Sequence, residues 1–156
     1  MLYLASDHAG FEHKEKLKKY LDTLGVQFED MGPDTFKESD DYPDYAYPAV
    51  ARMDPDEDKA ILLCGSGGGM TILANKLHGI RATVAWDEES AKLARTDDDA
   101  NVLAIPARLI DFETAKKIVN TWLNTPFSQA DRHVRRLKKI EVLEDKFNPD
   151  GSRMYK

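Results

Sequence analysis

The sequence predicts an α/β protein, a Rossmann-like three-layer α/β/α sandwich around a parallel sheet of about five strands. Short apolar segments alternate with amphipathic, lysine-rich segments, which is the pattern of successive right-handed βαβ units. The 156 residues suffice for one domain that buries about two-thirds of its unfolded surface. Turns rich in glycine or aspartate follow several apolar segments, where open parallel sheets place their ligand sites.

The first half of the chain is predicted to supply two strands and two helices. Residues 2–6 predict a strand, and apolar residues spaced near 3.6 over 11–24 predict a surface helix. Residues 26–30 are predicted to form the second strand. The polar segment 31–47 contains two prolines, is followed by a third, and predicts a long loop, whereas 49–53 are predicted to be part of a short helix.

The second half continues the alternation and ends with an additional helix. Strands are predicted at 60–63, 81–86 and 102–105, and helices at 70–77, 88–95, 112–123 and 128–146. The last helix carries a narrow apolar stripe with charged flanks, which suits packing against another subunit. One domain over 1–146 and a C-terminal tail over 147–156 are therefore expected.

Composition excludes several classes of protein. The formal net charge of −6 argues against a nucleic-acid partner. The single cysteine excludes a disulfide framework and favours a reducing compartment. No segment approaches the roughly 20 apolar residues of a membrane span, and we recognise no secretory signal or transit peptide, so a cytoplasmic protein with no membrane partner is expected. The basic cluster within 132–139 suits a small anionic ligand better than a polyanion.

The most informative segment is 60–76, with the sequence AILLCGSGGGMTILANK. A strand is predicted to end at Cys64, followed by a glycine turn, residues 65–69, and by a helix. Converging N–H groups in such a turn could hold an anion or a developing oxyanion, and the adjacent thiol could move a proton. A tight turn beside a small buried cysteine explains the same residues equally well. The P-loop ending and an appropriately placed GxGxxG motif are both absent.

Two other segments carry candidate ligand-binding residues. Asp7 and His8 follow the first predicted strand, where parallel sheets place ligands, although Asp7 also fits an N-cap of the next helix. Tyr42 and Tyr45 lie in the predicted long loop. Either tyrosine could cover a substrate or simply pack against the domain.

Six segments, in this order and spacing, together resemble the RpiB/LacA/LacB sugar-phosphate isomerases, and most closely the type B ribose-5-phosphate isomerases. The segments are SDHAGFEHK at 6–14, DYPDYA at 41–46, CGSGGGMTILANK at 64–76, GIRA at 79–82, ANVLAIPAR at 100–108 and RHVRR at 132–136. The resemblance implies a phosphorylated sugar as substrate, and a homodimer or dimer of dimers with active sites shared across the interface. It also implies that no metal or organic cofactor is needed.

The resemblance implies that Cys64 is the base that moves a proton between C1 and C2 of the open-chain sugar. Met70 stands where other members of the family carry a catalytic glutamate, so this chain is similar to the members that use cysteine. Ser66 would act on the hydroxyl and carbonyl oxygens. Backbone amides would hold the enediolate, and they belong to Gly65, Ser66, Gly67, Gly68, Gly69 and Met70. A thiol base needs a lowered pKa, which a helix start and a nearby cation are expected to provide.

The resemblance also implies contacts with the substrate. Sugar or phosphate contacts are implied for Asp7, His8 and Tyr42, and a phosphate clamp for Arg108, Arg132 and Arg136. Arg132 and Arg136 are four residues apart on one predicted helix and so share a face, and a guanidinium fork fits phosphate oxygens. His133 and Arg135 are then expected to point elsewhere, as part of a solvated face.

The segment TDDDAN departs from the family pattern. Asp97 stands where members that act on ribose 5-phosphate carry a histidine credited with opening the furanose ring. Asp98 stands where they carry an asparagine that donates a hydrogen bond to the enediolate. Both aspartates remain catalytic candidates, but their chemistry differs from that of the family residues. An ionised Asp98 cannot donate that hydrogen bond and would repel the enediolate and the phosphate.

Several interpretations of this departure stay open. The expected function is interconversion of ribose 5-phosphate and ribulose 5-phosphate through a cis-enediolate, with Asp97 in place of the histidine. A tetrose 4-phosphate is an alternative substrate, since its blocked 4-hydroxyl prevents closure to a furanose. Further alternatives are a hexose 6-phosphate, such as galactose or allose 6-phosphate, an acidic sugar, and a phosphosugar-binding protein without catalysis.

Overall fold

The structure is a computed structural model that describes residues 1–147. Within this range the strands are β1 (Leu2–Ser6), β2 (Glu29–Asp30), β3 (Lys59–Cys64), β4 (Ala82–Val84) and β5 (Val102–Pro106). The helices are α1 (Phe11–Thr23), α2 (Pro43–Ala51), α3 (Gly68–Ala74), α4 (Glu88–Thr96), α5 (Phe112–Asn124) and α6 (Asp131–Phe147). No helix within residues 1–147 combines the length and apolar character needed to cross a membrane.

The five strands form one parallel sheet in the order β2-β1-β3-β5-β4, which confirms the predicted fold class. From β1 the chain moves to β2 on one side and then to β3 on the other, so the topology reverses between β1 and β3. In open α/β sheets, loops at such a reversal diverge and leave a crevice outside the carboxyl ends of the strands. That crevice lies between the residues that follow Ser6 and those that follow Cys64.

Alternating side chains of the strands divide the core into two layers. Leu4 of β1 and Leu63 of β3 pack with buried residues of α1, α4 and α5 on one face. Ala5 of β1 and Cys64 of β3 pack with buried residues of α2 and α3 on the other face. Helices therefore cover both faces, and the thiol of Cys64 lies on the α2 and α3 side of the sheet.

Three predicted elements differ clearly from the structure, and one is the strand predicted at 81–86, which spans only Ala82–Val84. The predicted strand 26–30 pairs with β1 only at its last two residues, so β2 is shorter than expected. The predicted loop 31–47 ends early, because α2 begins at Pro43 rather than at residue 49. Proline is favoured in the first turn of a helix, where its missing N–H has no helical partner in any case.

Helix α6 crosses the amino end of the sheet, beside the chain that leads into β4. The Oε2 atom of Glu144 accepts a hydrogen bond from the backbone N–H of Gly79 at 2.9 Å. The Oδ1 atom of Asp145 lies 2.9 Å from Nε2 of His78. These contacts place α6 at the amino end of the sheet, whereas the crevice lies at the carboxyl end.

Part of the apolar stripe on α6 is uncovered in this single chain. Ile140, Val142 and Leu143 are each more than half exposed. The predicted helix 128–146 is confirmed, with its start at Asp131. The helix includes residue 147, and the rest of the predicted tail, residues 148–156, lies outside the described residues.

Candidate active site

The crevice is formed by the ends of two neighbouring strands, β1 and β3. Ser6 pairs with Leu63 in the sheet, and the backbone N–H of Asp7 donates to the carbonyl of Leu63 at 3.1 Å. The residues after β1 therefore lie directly beside Cys64. The structure brings together most of the sequence-predicted site here: Asp7, His8, Tyr42, Cys64, Ser66, Arg108 and the glycine turn.

Cys64 is held at the start of the glycine turn by backbone donors. Its Sγ accepts a hydrogen bond from the N–H of Gly67 at 3.1 Å, and the side chain is buried. Burial raises the thiol pKa, and the nearby carboxylate of Asp7 acts in the same direction. Amides of Gly67, Met70 and Ser66 act in the opposite direction but do not outweigh burial. The expected lowering of the pKa is therefore wrong, because burial outweighs the amides and the thiol pKa is raised.

The glycine turn lets two side chains lie directly on its backbone. A Cβ on Gly69 would lie 2.8 Å from Cζ of Tyr42, and one on Gly65 would lie 3.2 Å from the side chain of Arg108. Gly67 has a φ of +77°, in the left-handed region, and a Cβ there would lie 2.9 Å from Val84. The turn is thus the floor of the crevice, with Tyr42 and Arg108 as its walls. The Ser66 hydroxyl is exposed at this floor and accepts from the N–H of Gly68 at 3.3 Å.

His8 is held between an acidic and a basic residue. Its Nδ1 lies 2.7 Å from Oδ1 of Asp40, which also accepts from the backbone N–H of His8 at 3.0 Å. Its Nε2 lies 3.2 Å from a terminal guanidinium nitrogen of Arg108. Sequence analysis did not find Asp40, because it lies in the predicted loop and no spacing signal ties it to a residue 32 positions away.

Asp7 is a buried carboxyl group in the loop after β1. Its Oδ1 accepts from the backbone N–H of Gly10 at 3.0 Å, and Gly10, not Asp7, is the N-cap of α1. Burial raises the pKa of Asp7, partly offset by the Gly10 hydrogen bond and by His8. The predicted N-cap role of Asp7 is therefore wrong. The carboxyl group lies beside the crevice, where it can accept a hydrogen bond from a bound ligand.

The remaining predicted site residues lie at the opposite end of the sheet. Asp97 and Asp98 precede β5, whereas Cys64 pairs with Pro106 at its far end. The five residues of β5 span about 16 Å at about 3.3 Å each. Within one chain, the two aspartates and the arginines of α6 therefore do not join the crevice, and Arg132 and Arg136 do not converge with Arg108.

His133 joins α6 to the loop that carries the two aspartates. It is only 2% exposed, with Nδ1 3.0 Å from the carbonyl oxygen of Asp97. Its Nε2 accepts from Nε of Arg132 at 2.8 Å. The expectation that His133 points to solvent is wrong, because both ring nitrogens have protein partners. It positions Arg132 next to Asp97, as a link between the loop and the helix.

Asp98 lies among groups of both charges in this second cluster. Partial removal from water and the neighbouring Asp97 raise the pKa of Asp98, while His133 and Arg136 act in the opposite direction. A carboxyl group with a raised pKa keeps its proton to a higher pH and can then donate a hydrogen bond. Within residues 1–147, including this cluster, no group of three or more His, Cys, Asp or Glu side chains is placed to hold a metal ion.

Comparison with known proteins gives consistent matches over nearly the whole chain. The family model described as Ribose/Galactose Isomerase matches residues 2–140. Ribose-5-phosphate isomerase B of Escherichia coli is 40% identical over 143 residues, which is 91% of this chain and 95% of that protein.

Solved structures agree with this match. The crystal structure of a ribose 5-phosphate isomerase RpiB from Thermotoga maritima has a TM-score of 0.84 and 48% identity, and covers 90% of this chain and 97% of its own. Ribose-5-phosphate isomerase B from Mycoplasma genitalium, with bound ribulose-5-phosphate, has a TM-score of 0.90 and 37% identity. That alignment covers 93% of this chain and 96% of the other.

Proposed function

This chain belongs to the ribose/galactose isomerase family and is a sugar-phosphate isomerase, and we propose that it interconverts ribose 5-phosphate and ribulose 5-phosphate. The observation that carries the proposal is the thiol of Cys64 against the amides of the glycine turn, in the crevice between β1 and β3. The choice of ribose 5-phosphate is supported by the relatives, which are named as ribose-5-phosphate isomerases. The M. genitalium enzyme was crystallised with the ketose of this pair.

Cys64 is the base in this proposal. Its thiolate takes the proton from C2 of the open-chain aldose, and the C–H electrons form a cis-enediolate with negative charge on O1. The hydroxyl proton passes from O2 to O1 with the help of Ser66, and the Cys64 proton returns to C1 as the carbonyl forms at O2. Amides of the glycine turn stabilise the anion, and one such donor is worth about 10²–10³ in kcat.

Thiolate formation depends on which groups face Cys64 when substrate is bound. Three backbone amides already act to lower its pKa, while burial and Asp7 raise it. When a sugar hydroxyl donates a hydrogen bond to Asp7, the negative charge facing the thiol is partly neutralised. Substrate binding therefore favours the base form of Cys64.

The phosphate clamp is completed by a second copy of the chain in this proposal. Arg108 lies in the crevice, but Arg132 and Arg136 lie at the other end of the sheet with Asp97 and Asp98. The exposed apolar residues of α6 supply a surface for contact between copies. Such pairing brings the arginine face of one chain to the crevice of another, in a dimer or a dimer of dimers.

Asp97 and Asp98 act on the same substrate in this arrangement. Asp98, whose pKa is raised, donates a hydrogen bond to the enediolate in its protonated form, as an asparagine amide would. Asp97 takes the proton of the O1 hydroxyl and returns a proton to O4 as the C1–O4 bond breaks, which opens the furanose and leaves the C1 carbonyl. Thr96 Oγ1 donates to Oδ1 of Asp97 at 2.8 Å, which orients its carboxyl group.

The experiment is proton NMR in heavy water with the purified full-length chain. Ribose 5-phosphate and ribulose 5-phosphate are expected to interconvert with deuterium incorporation at the carbon next to the carbonyl. Cys64→Ala is the control, expected to bind the sugar without exchange. Binding of ribose 5-phosphate with neither exchange nor product in the unmodified chain would overturn the proposal.

A tetrose 4-phosphate is the second candidate substrate. Asp97 and Asp98 favour it, because a sugar that cannot close to a furanose needs no ring-opening histidine. Erythrose 4-phosphate in the same NMR experiment distinguishes the two. Exchange with the tetrose alone would move the assignment to that substrate, and exchange with galactose or allose 6-phosphate alone would move it to a hexose.

A further inference from the structure

The loop between β2 and α2 brings a carboxylate behind His8. Oδ1 of Asp40 contacts both the backbone N–H and Nδ1 of His8, at 3.0 and 2.7 Å. The Asp40 side chain is only 3% exposed, and within the described residues its Oδ2 has no hydrogen-bond partner. A buried carboxylate with one unsatisfied oxygen gains much from a neighbouring positive charge.

The opposite side of the imidazole faces a permanent cation. A terminal nitrogen of Arg108 lies 3.2 Å from Nε2 of His8. Because guanidinium only donates hydrogen bonds, Nε2 must accept. The ring proton then lies on Nδ1 and is donated to Asp40. The contacts therefore fix one neutral tautomer, with the Nε2 lone pair directed toward the crevice.

Three charged groups lie near His8. Asp40 lies behind it, Asp7 precedes it in the chain, and Arg108 lies in front. Arg108 is the donor that occupies the Nε2 lone pair. A bound anion that accepts the donors of Arg108 frees this lone pair and places negative charge beside the ring, where a proton on Nε2 can be shared with the anion.

We propose that Asp40 is a positioning residue for phosphate recognition. It fixes His8 with Nε2 toward the crevice and stabilises the imidazolium that forms when a phosphate dianion occupies Arg108. His8 takes this proton from solvent and donates it to a phosphate oxygen as a charged hydrogen bond. The inference rests on the proposed function only in taking the anion to be the phosphate of a sugar.

The loop that carries Asp40 is anchored independently of that residue. The buried Nζ of Lys14 donates to Oδ1 of Asp30 at 2.6 Å and to the carbonyl of Pro33 at 2.9 Å. Asp40→Asn is therefore expected to keep the loop in place while removing the charge. Glu38→Gln is the matched control, since Glu38 is an exposed acidic residue of the same loop.

The test is nitrogen-15 NMR of the histidine rings in the full-length chain at pH 8, where a phosphate monoester is a dianion. His8→Asn identifies the His8 signals. In the free protein His8 is expected as the neutral tautomer with the proton on Nδ1. Inorganic phosphate, or ribose 5-phosphate added to Cys64→Ala, is expected to convert it toward imidazolium. Asp40→Asn is expected to lose the conversion, and Glu38→Gln to keep it.

Kinetics separate positioning from general structural damage. Asp40→Asn is expected to raise KM for the sugar phosphate about tenfold with little change in kcat, as for loss of a charge-assisted hydrogen bond. The effects of Asp40→Asn and His8→Asn on KM are expected to be non-additive.

Three NMR results would overturn the inference: a proton on Nε2 in the free protein, no change in the protonation of the His8 ring when either ligand is added, or conversion to imidazolium retained in Asp40→Asn. Conversion without isomerisation would support it while refuting the proposed function.

Discussion

The two ends of the sheet carry different kinds of candidate site residue. At the carboxyl end, Cys64 and the amides of the glycine turn are buried or fixed by the backbone. At the amino end, Asp98 and Arg136 are exposed side chains, linked to the fold through the buried ring of His133. Removal of a carbon-bound proton needs fixed donors shielded from water, whereas capture of a phosphate needs accessible positive charge. The carboxyl end has the fixed donors together with the exposed Arg108, and the amino end has a second group of exposed cations.

Cys64→Ala is expected to give the largest effect, because it removes the base at the carboxyl end. Loss of a general base lowers kcat by about 10²–10⁴, with the affinity for phosphosugar maintained. Steady-state kinetics and ligand titration measure the two quantities. An unchanged denaturation midpoint controls for folding, and a variant with appreciable residual kcat would show that another group is the base.

Arg136→Ala tests the amino end through binding. It is expected to raise KM about 10- to 100-fold with a smaller change in kcat, since a hydrogen bond to a charged group is worth about 1.5–3 kcal/mol. Arg135→Ala is the matched control, because its neighbouring side chain leaves the helix on another face. Equal effects of the two variants would mean that general surface charge, not a clamp, attracts the substrate.

The double variant Asp97→His/Asp98→Asn tests whether the departure from the family pattern affects ribose 5-phosphate turnover. An imidazole is better suited than a carboxylate to proton exchange at neutral pH, and an amide donates without needing a proton. We expect kcat for ribose 5-phosphate to rise about tenfold. The carboxyl end is unaltered in this variant, so unchanged or lower activity would imply a substrate that needs no ring opening.

Titration of Cys64 at the carboxyl end of the sheet and of Asp98 at the amino end is expected to change activity in opposite directions as pH rises. Burial raises the pKa of Cys64, whose deprotonated form is needed, so activity increases as pH rises toward that pKa. Partial burial and Asp97 raise the pKa of Asp98, whose protonated form is needed, so its contribution falls as pH rises through that value. The kcat/KM profile of Asp98→Asn should lose only the second slope. A profile identical to that of the unmodified chain would exclude Asp98 as the donor.

Local sequence signals predicted the carboxyl end well. The apolar run before Cys64 and the glycines after it specify a strand and a turn, and the structure has both. The direction of the Cys64 pKa was predicted wrongly, because motif spacing shows the amides that lower it but not the burial that raises it. Asp40 was missed for a related reason, since its contact with His8 joins two loops far apart in the chain.

The amino end was predicted less well. Helical spacing placed Arg132 and Arg136 on one face but gave no sign that His133, between them, is buried against the carbonyl of Asp97. The sequence of a helix also does not indicate which end of the sheet the helix crosses. The separation of Asp97 and Asp98 from Cys64 became clear only from the strand register.

Complementation between two inactive chains tests the central claim most directly. Cys64→Ala and Arg132→Ala/Arg136→Ala, with different affinity tags, are co-expressed, and the mixed dimer is purified through both tags. If each site combines the crevice of one chain with α6 of the other, one site of the mixed dimer is intact. With ribose 5-phosphate well below KM, about half of the unmodified activity is then expected, although each parent is nearly inactive at that concentration. A mixed dimer as inactive as its parents would contradict the account and place the whole site within one chain.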